Sequence, residues 1–152
     1  MLMPLIEKEV KIMYDAKIIV PLRYSKWVLD SIRTRKKFGE IRLCIDFINL
    51  TKTSLKYNYH LPKMDHILQK VVGSNMISRL DDFSGYNQVL VHPYGQEKTM
   101  FTTPWGTFMY VKMLFGLMNV GETFQKAMDF TFADEMGHFI VIYLDDISCW
   151  DK

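Results

Sequence analysis

The amino-acid sequence predicts an α+β domain in which helices pack on one face of an antiparallel sheet. Its 152 residues are a typical length for a single domain, and 49% of them are hydrophobic, which is enough to bury a substantial core. Strand, helix and hairpin patterns follow one another in an order that suits this class. The sequence has no internal repeat or linker, so we predict a single domain over residues 1–152.

The elements of the first half follow from apolar spacing and from turn residues. Apolar residues recur at helical spacing in the first segment, and the next two segments read as strands joined by a turn at Gly39. Gly73 suits the carboxyl-terminal cap of a helix. The predicted elements are a helix at Leu5–Ala16, strands at Trp27–Arg35 and Ile41–Ile45, an extended connection at Leu50–His60, and a helix at Lys63–Val72.

The second half is predicted to hold two hairpins and the longest helix. That helix carries Phe124, Ala127, Met128 and Phe132 on one face, as an amphipathic helix does. The predicted elements are a strand ending at Asp81, a tight helical turn at Ser84–Asn87, a strand at Gln88–His92, strands at Thr99–Thr103 and Phe108–Met113 joined at Pro104–Gly106, and a helix at Asn119–Met136.

Two adjacent aspartates, Asp145 and Asp146, lie between two strongly apolar stretches. Because Phe139–Ile142 and Ile147–Trp150 read as strands, Tyr143–Asp146 would form the tight turn of a hairpin. A turn can direct both carboxylates into one small space, where a divalent cation would relieve their repulsion. The pair is therefore a candidate metal site for phosphoryl transfer. The alternative is a solvated pair of turn-forming residues.

Asp81 is the best candidate for a third carboxylate, since it ends a predicted strand in a distant segment. Two magnesium ions roughly 3.5–4 Å apart need several hard oxygen ligands. Three aspartates and a substrate triphosphate would supply these ligands.

Six groups of residues extend this pattern along the chain, from about Leu5 to its end. They are Arg42–Phe47; Tyr59–Asp65; Leu80–Asp81 with Ser84–Gln88; Lys98–Gly106; Phe115–Leu117 with Thr123–Gln125; and Tyr143–Asp146. In this order they resemble the reverse transcriptase family, and within it the polymerases of gypsy-type long-terminal-repeat retrotransposons. The resemblance implies a polymerase palm with part of the fingers, with about 1–75 mainly fingers and 76–152 mainly palm.

The resemblance also implies a reaction, in which a deoxynucleotide is added to a primer end on an RNA or DNA template. Asp81 and Asp145 match the two aspartates that bridge the metal ions, and Asp146 matches the third acid. The implied cofactor is a pair of Mg²⁺ ions, with Mn²⁺ as a substitute. The implied partners are template with primer, deoxynucleoside triphosphates and the remaining domains of a parent Pol polyprotein.

Four residues around the turn after Asp81 match nucleotide-binding positions of the family. Tyr86 matches the aromatic residue that lies under the sugar and excludes a 2′-hydroxyl, although a lone tyrosine is more commonly a core residue. The backbone amides of Ser84 and Gly85 suit a small nest for triphosphate oxygens. The Asp82 side chain is expected to point outward, with its carbonyl near the second metal.

Further nucleotide contacts are expected from three other places. Arg42 aligns with the family's strand arginine, and Lys37 is favoured over Lys36 at the basic hairpin tip, where simple solvation is an equal alternative. Phe115 and Gln125 match positions near the nucleotide pocket, and both could equally be packing residues.

Departures from the family pattern leave the three acids intact. Met113–Gly116 reads Met-Leu-Phe-Gly where relatives have Met-Pro-Phe-Gly, and Glu122 replaces a small residue. The chain stops soon after the Asp-Asp turn, so we expect the thumb, connection and ribonuclease H parts to be absent and polymerisation by this chain alone to be weak or missing. The alternative function is a catalytically inactive remnant that at most binds nucleic acid.

Charge and composition restrict the function classes. Residues 1–80 hold 15 Lys and Arg against 7 Asp and Glu, whereas residues 81–152 hold 4 against 10. A basic half suits a polyanion and an acidic half suits bound cations. Two cysteines are too few for a disulfide framework or a zinc cluster. No apolar run is long enough to span a membrane, so we expect a soluble, intracellular protein, in either cytoplasm or nucleus.

Overall fold

Antiparallel pairing organises all three sheets of the part of the chain that the structure describes. The computed structural model describes residues 3–35, 41–81 and 85–151. The strands are β1 (Ile19–Pro21), β2 (Ser31–Arg35), β3 (Ile41–Ile45), β4 (Met76–Asp81), β5 (Phe101–Thr103), β6 (Gly106–Tyr110), β7 (Ile140–Tyr143) and β8 (Asp146–Asp151). They pair in the orders β1-β6-β5, β2-β3 and β4-β8-β7.

Five α-helices and two 3-10 turns connect these strands within the described residues. The helices are α1 (Met3–Asp15), α2 (Ile48–Thr53), α3 (Met64–Val71), α4 (Pro93–Gln96) and α5 (Val120–Thr131), and the 3-10 turns are Gly85–Gln88 and Glu97–Thr99. The predicted α+β class is confirmed. Its strands are divided among three sheets instead of forming one.

The sequence prediction was wrong in two connections. Residues 88–92 were expected to form a strand, but they hold one isolated bridge, between Leu90 and Lys112, before α4 begins at Pro93. Proline lacks the backbone N–H that a strand ladder needs, and its fixed φ suits the first turn of a helix. The expected extended connection begins with α2, where the Asp46 carboxylate accepts a hydrogen bond from the Ile48 N–H at 2.8 Å.

The chain forms two compact units, each built from two separate stretches. The first unit is Met1–Ser54 with Leu90–Leu117, and the second is Leu55–Val89 with Met118–Lys152. A single cut near residue 75 therefore does not separate them. The assignment of these stretches to fingers and palm stays a prediction.

In the first unit, the core forms where α1 covers the sheet and the β2-β3 hairpin. Phe101 and Tyr110 stack there with ring centroids 5.0 Å apart, and both side chains are fully buried. Burial raises the pKa of Tyr110 far above its ordinary value. The buried members of this core are Ile6, Val10, Ile19, Leu29, Leu43, Phe47, Leu50, Phe101 and Tyr110.

In the second unit, α5 packs against the β4-β8-β7 sheet. Phe124 of α5 and Ile142 of β7 are buried there. Strand β4 lies at one edge of this sheet and leaves large apolar side chains in solvent, with Met76 73%, Ile77 59% and Leu80 55% exposed. This edge of the sheet is therefore only partly covered in the described part of the second unit.

None of the helices in the described ranges is long and apolar enough to cross a membrane.

Thr99 supports a testable prediction about the first unit. Its buried hydroxyl donates to the Gln96 carbonyl at 2.6 Å and accepts the Tyr110 N–H at 2.9 Å. Thr99→Val keeps the shape but leaves both backbone groups unpaired, so we expect a loss of about 1–3 kcal/mol of unfolding free energy in urea. Thr102→Val, at an exposed position of β5, is the control and should change little. Equal effects of the two substitutions would contradict the assignment.

Candidate active site

The Asp-Asp pair lies at a tight hairpin, and the predicted strand, turn and strand are confirmed. Tyr143 of β7 pairs with Asp146 of β8, so Leu144 and Asp145 form the two-residue turn between them. Leu144 has a φ of 56°, a conformation in which Cβ crowds the backbone and which glycine adopts more easily. Asp145 therefore lies at the tip of a strained turn, and Asp146 opens the returning strand.

Strand pairing brings Asp81 opposite this turn. In the antiparallel register of β4 with β8, Asp81 is the partner of Asp146. Cα atoms of directly opposed residues in such a pair lie about 4.5–5.5 Å apart. The structure describes the backbone of Asp81 but not its side chain. The backbone thus brings together two of the acids that are distant in sequence, and a common pocket for the three carboxylates stays a prediction.

Arg79 forms an ion pair with the Asp146 carboxylate. Its Nε lies 3.0 Å from Oδ1, and its Nη2 lies 2.7 Å from both Oδ1 and Oδ2. The side chains are 69% and 35% exposed. Sequence analysis missed this ion pair. Arg79 precedes Asp81 by two residues, and a strand's two-residue period was the signal that would have put Arg79 near the acids.

Among the described side chains, no three of His, Cys, Asp and Glu gather closely enough to hold a metal ion. This finding covers Asp145 and Asp146 but not the Asp81 carboxylate. The donor chemistry fits magnesium, because adjacent carboxylates provide the hard oxygens that this ion prefers. Arg79 already neutralises one of them, so an ion at Asp146 would have to compete with a guanidinium.

Tyr86 lies in the 3-10 turn Gly85–Gln88, close to the expected position of the tight turn. Its ring is 5% exposed and packs on Phe124 with centroids 4.4 Å apart. Burial raises the pKa of Tyr86, and the negative charge of Asp145 adds to the rise. Tyr86 is thus a packing residue that lies near the Asp145 charge. Its role in sugar selection stays a prediction, and Asp82 and Ser84 lie outside the described residues.

Gln125 is fully buried and holds the Asp-Asp turn in place. Its Oε1 accepts the Leu144 N–H at 2.8 Å, and its Nε2 donates to the Ile142 carbonyl at 3.1 Å and to Asp129 Oδ1 at 2.9 Å. Each polar atom of the side chain therefore has a partner. The bond to the Leu144 N–H offsets part of the strain of the positive φ, because it gives the turn amide an acceptor in this conformation.

Asp129 and Tyr59 extend this network and were missed by sequence analysis. The Tyr59 hydroxyl donates to Asp129 Oδ2 at 2.6 Å, and this hydrogen bond raises the pKa of Tyr59 to about 12. The four-residue spacing of Gln125 and Asp129 places them on one face of α5, which was the available signal. Tyr59 lies in a segment whose apolar residues show neither helical nor strand spacing, so its contact could not be predicted.

Gly121 of α5 also approaches the turn. A Cβ added at this position would lie 3.2 Å from the Leu144 Cδ2 atom, which is tighter than ordinary van der Waals contact. A side chain here would therefore require the Leu144 side chain to shift by a few tenths of an ångström.

The remaining predicted nucleotide contacts belong to the first unit. Arg42 lies in β3 opposite Thr34, and its side chain is outside the described part of the structure. Lys36 and Lys37 lie outside the described residues. Phe115 is 63% exposed. The nucleotide-binding roles of these residues stay predictions.

Comparison with known proteins identifies the family. A model of the family "Reverse transcriptase (RNA-dependent DNA polymerase)" matches residues 34–150. The RNA-directed DNA polymerase homolog of Oenothera berteroana is 36% identical over 107 residues, which are 70% of this chain and 75% of that protein. The Pol polyprotein from transposon gypsy of Drosophila melanogaster is 32% identical over 153 residues, which are 97% of this chain but 15% of the polyprotein.

Solved structures share the fold at low sequence identity. The foamy viral protease-reverse transcriptase in complex with an RNA/DNA hybrid superposes with a TM-score of 0.83 at 18% identity, covering 98% of this chain and 20% of that one. The same viral protein in complex with double-stranded DNA gives a TM-score of 0.82 at 19% identity. With a family match over most of its length and relatives among retrotransposon Pol polyproteins, the chain belongs to the reverse transcriptase (RNA-dependent DNA polymerase) family.

Proposed function

We propose that this chain carries the nucleotidyl-transfer site of an RNA-directed DNA polymerase from a retrotransposon Pol polyprotein. The observation that supports this proposal most strongly is the β4-β8 register, because it pairs Asp81 with Asp146 beside the Asp145 turn. In the proposed site, Asp81, Asp145 and Asp146 hold two Mg²⁺ ions, and Mn²⁺ can replace them. When bound, these ions would activate the primer 3′-hydroxyl and stabilise the leaving pyrophosphate.

The protein's own groups have to position the reacting atoms. Gln125 fixes the backbone at Leu144, and therefore the direction in which the Asp145 carboxylate leaves the turn. Tyr86 is anchored by its contact with Phe124. In the proposed site it presents the ring edge toward the sugar and excludes a 2′-hydroxyl, and Gly85 with Ser84 offers backbone amides to the triphosphate. Rigid support of this kind matters because misplacement by about 1 Å can cost roughly 100-fold in rate.

The proposed substrates are a primed RNA or DNA template and deoxynucleoside triphosphates. Solved structures that share this fold include complexes with double-stranded DNA and with an RNA/DNA hybrid, which supports a duplex as ligand. The excess of Lys and Arg in residues 1–80 suits the phosphate backbone of such a duplex. Lys37, Arg42 and Phe115 are the proposed additional contacts to the incoming nucleotide. The remaining domains of the polyprotein are the proposed covalent partners.

Replacement of one proposed metal ligand tests the reaction directly. We expect primer extension by the full 152-residue chain on an RNA template to be weak and to require Mg²⁺ or Mn²⁺. We expect Asp145→Asn to lower this rate by about 100-fold or more, as loss of one preorganised charge contact does. Asp151→Asn is the matched control, because it removes an exposed carboxylate from the far end of β8. Extension that survives Asp145→Asn would remove this residue from the mechanism.

Sugar selection is tested at Tyr86. We expect Tyr86→Ala to raise the acceptance of ribonucleotides relative to deoxynucleotides by at least about tenfold, since hydrogen-bond and steric discrimination of a single hydroxyl is of this order or larger. Tyr86→Phe keeps the ring against Phe124 and should keep the discrimination. The measured ratio does not depend on the fraction of folded enzyme, so loss of stability on truncation of this buried residue does not affect it. An unchanged ratio in Tyr86→Ala would exclude this role.

The support of the turn is tested at Gln125. Gln125→Met conserves length but leaves the Leu144 N–H and the Ile142 carbonyl without their side-chain partner, so we expect a loss of about 1–3 kcal/mol in unfolding free energy. We also expect kcat for primer extension to fall by about tenfold or more, with little change in the KM for the nucleotide. Gln69→Met, at an exposed position of α3, is the control. Full activity in a destabilised Gln125→Met protein would limit Gln125 to a structural role.

A further inference from the structure

The ion pair between Arg79 and Asp146 places a protein cation on a proposed metal ligand. Three nitrogen-to-oxygen contacts of 2.7–3.0 Å engage both oxygens of the Asp146 carboxylate. A carboxylate offers about four lone-pair sites, so most of its capacity is taken by the guanidinium. A divalent ion and Arg79 cannot use these oxygens to the full at the same time, and their positive charges repel each other.

The position of Arg79 explains why this contact forms. Arg79 stands two residues before Asp81 on β4 and is opposite Ser148 on β8, whereas Asp81 is opposite Asp146. A diagonal neighbour on an antiparallel pair lies within reach of a long side chain. Asp145, at the adjacent turn, adds a second negative charge to this end of the sheet. A cation here offsets the repulsion among carboxylates when no metal ion is bound.

The exposure of the pair makes it readily exchangeable. The Arg79 side chain is 69% exposed, so its guanidinium can return to water without crossing a packed region. Exposed ion pairs of this kind contribute little net stability, because solvent screens them and the side chains lose rotamer freedom. A divalent ion with several oxygen ligands binds the carboxylate more strongly than the guanidinium does. Arg79 therefore lowers the metal affinity without abolishing it.

We propose that Arg79 is a competing internal cation, which holds Asp146 before the metal ions bind and is displaced from it when the site is loaded. This inference rests on the proposed function, because it takes Asp146 as a metal ligand. It adds a residue outside the three-acid motif that sets the metal concentration at which the site fills. Arg79 acts through Asp146 and is a positioning residue.

Metal affinity tests the proposal without any measurement of catalysis. We would titrate the full chain with Mn²⁺ by calorimetry at low ionic strength and compare Arg79→Met, Arg79→Lys and Lys70→Met. We expect Arg79→Met to bind Mn²⁺ about two- to fivefold more tightly than the unsubstituted chain, the range that corresponds to an exposed ion pair. Arg79→Lys keeps the charge but not the planar guanidinium that contacts both carboxylate oxygens. Its Mn²⁺ affinity should lie between those of Arg79→Met and the unsubstituted chain. Lys70→Met removes an exposed positive charge from α3 and should have less effect than Arg79→Met.

A second measurement uses the unsubstituted protein. In a ¹H–¹⁵N spectrum, we expect the Arg79 Nε–H resonance to move toward the position of a free arginine as Mg²⁺ is added. This change should follow the same titration curve as the Asp145 and Asp146 backbone amides. If those amides respond while the Arg79 Nε–H does not, or if Arg79→Met binds Mn²⁺ no more tightly than the unsubstituted chain, the displacement proposal is overturned and the metal site stands.

A different result would identify failure of the proposed function itself. If Mn²⁺ binding is absent in the unsubstituted chain and in Arg79→Met, or if Asp145→Asn leaves it unchanged in both backgrounds, then Asp145 and Asp146 do not form the metal site. The proposed function and the displacement proposal would then both be overturned.

Discussion

The pairing of β4 with β8 is the constraint on which the candidate site depends. Asp81 is separated from the Asp-Asp turn by more than sixty residues of sequence, and the ladder of backbone hydrogen bonds brings them together. A shift of this register by one residue would move every side chain of β4 to the other face of the sheet. The apolar packing of α5 against β7 also matters for the site, because β7 is paired with β8 and so supports its position.

The Asp-Asp turn shows how local strain and buried polar groups are combined. A leucine with a φ of 56° is an unfavourable choice for a turn where glycine is easily accommodated. A wholly buried glutamine accepts its N–H, and this glutamine is itself oriented by Asp129. The cost of the backbone conformation is offset by a network that reaches Tyr59. Such an arrangement gives the turn one well-defined geometry, whereas glycine at position 144 would allow several.

The hairpins and long helices could be predicted because their signals are local. Strongly apolar stretches on either side of the Asp-Asp turn predict β7 and β8, and helical spacing of apolar residues predicts α1 and α5. Short elements were missed where a single side chain decides the outcome, as Asp46 does at the start of α2 and Pro93 at the start of α4. In both segments the local geometry of one residue decides the structure, and the apolar pattern does not show it.

The sequence predicted three candidate acids but not the side chains that surround them. Asp145 and Asp146 stand in a recognisable turn, and their motif identified Asp81 as the third acid. The Arg79 contact depends on strand register, and the Tyr59 contact depends on how an irregular segment passes α5. Neither can be obtained from apolar periodicity, because both join side chains about seventy residues apart. Tertiary structure was needed to find the groups that hold the acids in place.

The location of Arg79 on an edge strand has a practical consequence for the purified protein. β4 is flanked by β8 on one side in the described sheet, and its exposed side chains include Met76, Ile77 and Leu80. Uncovered strands of this composition tend to add further strands from neighbouring molecules, and a charged side chain in the middle of the strand discourages this. Arg79 carries the single charge of Met76–Leu80, so an uncharged residue at this position would favour association between molecules through this edge.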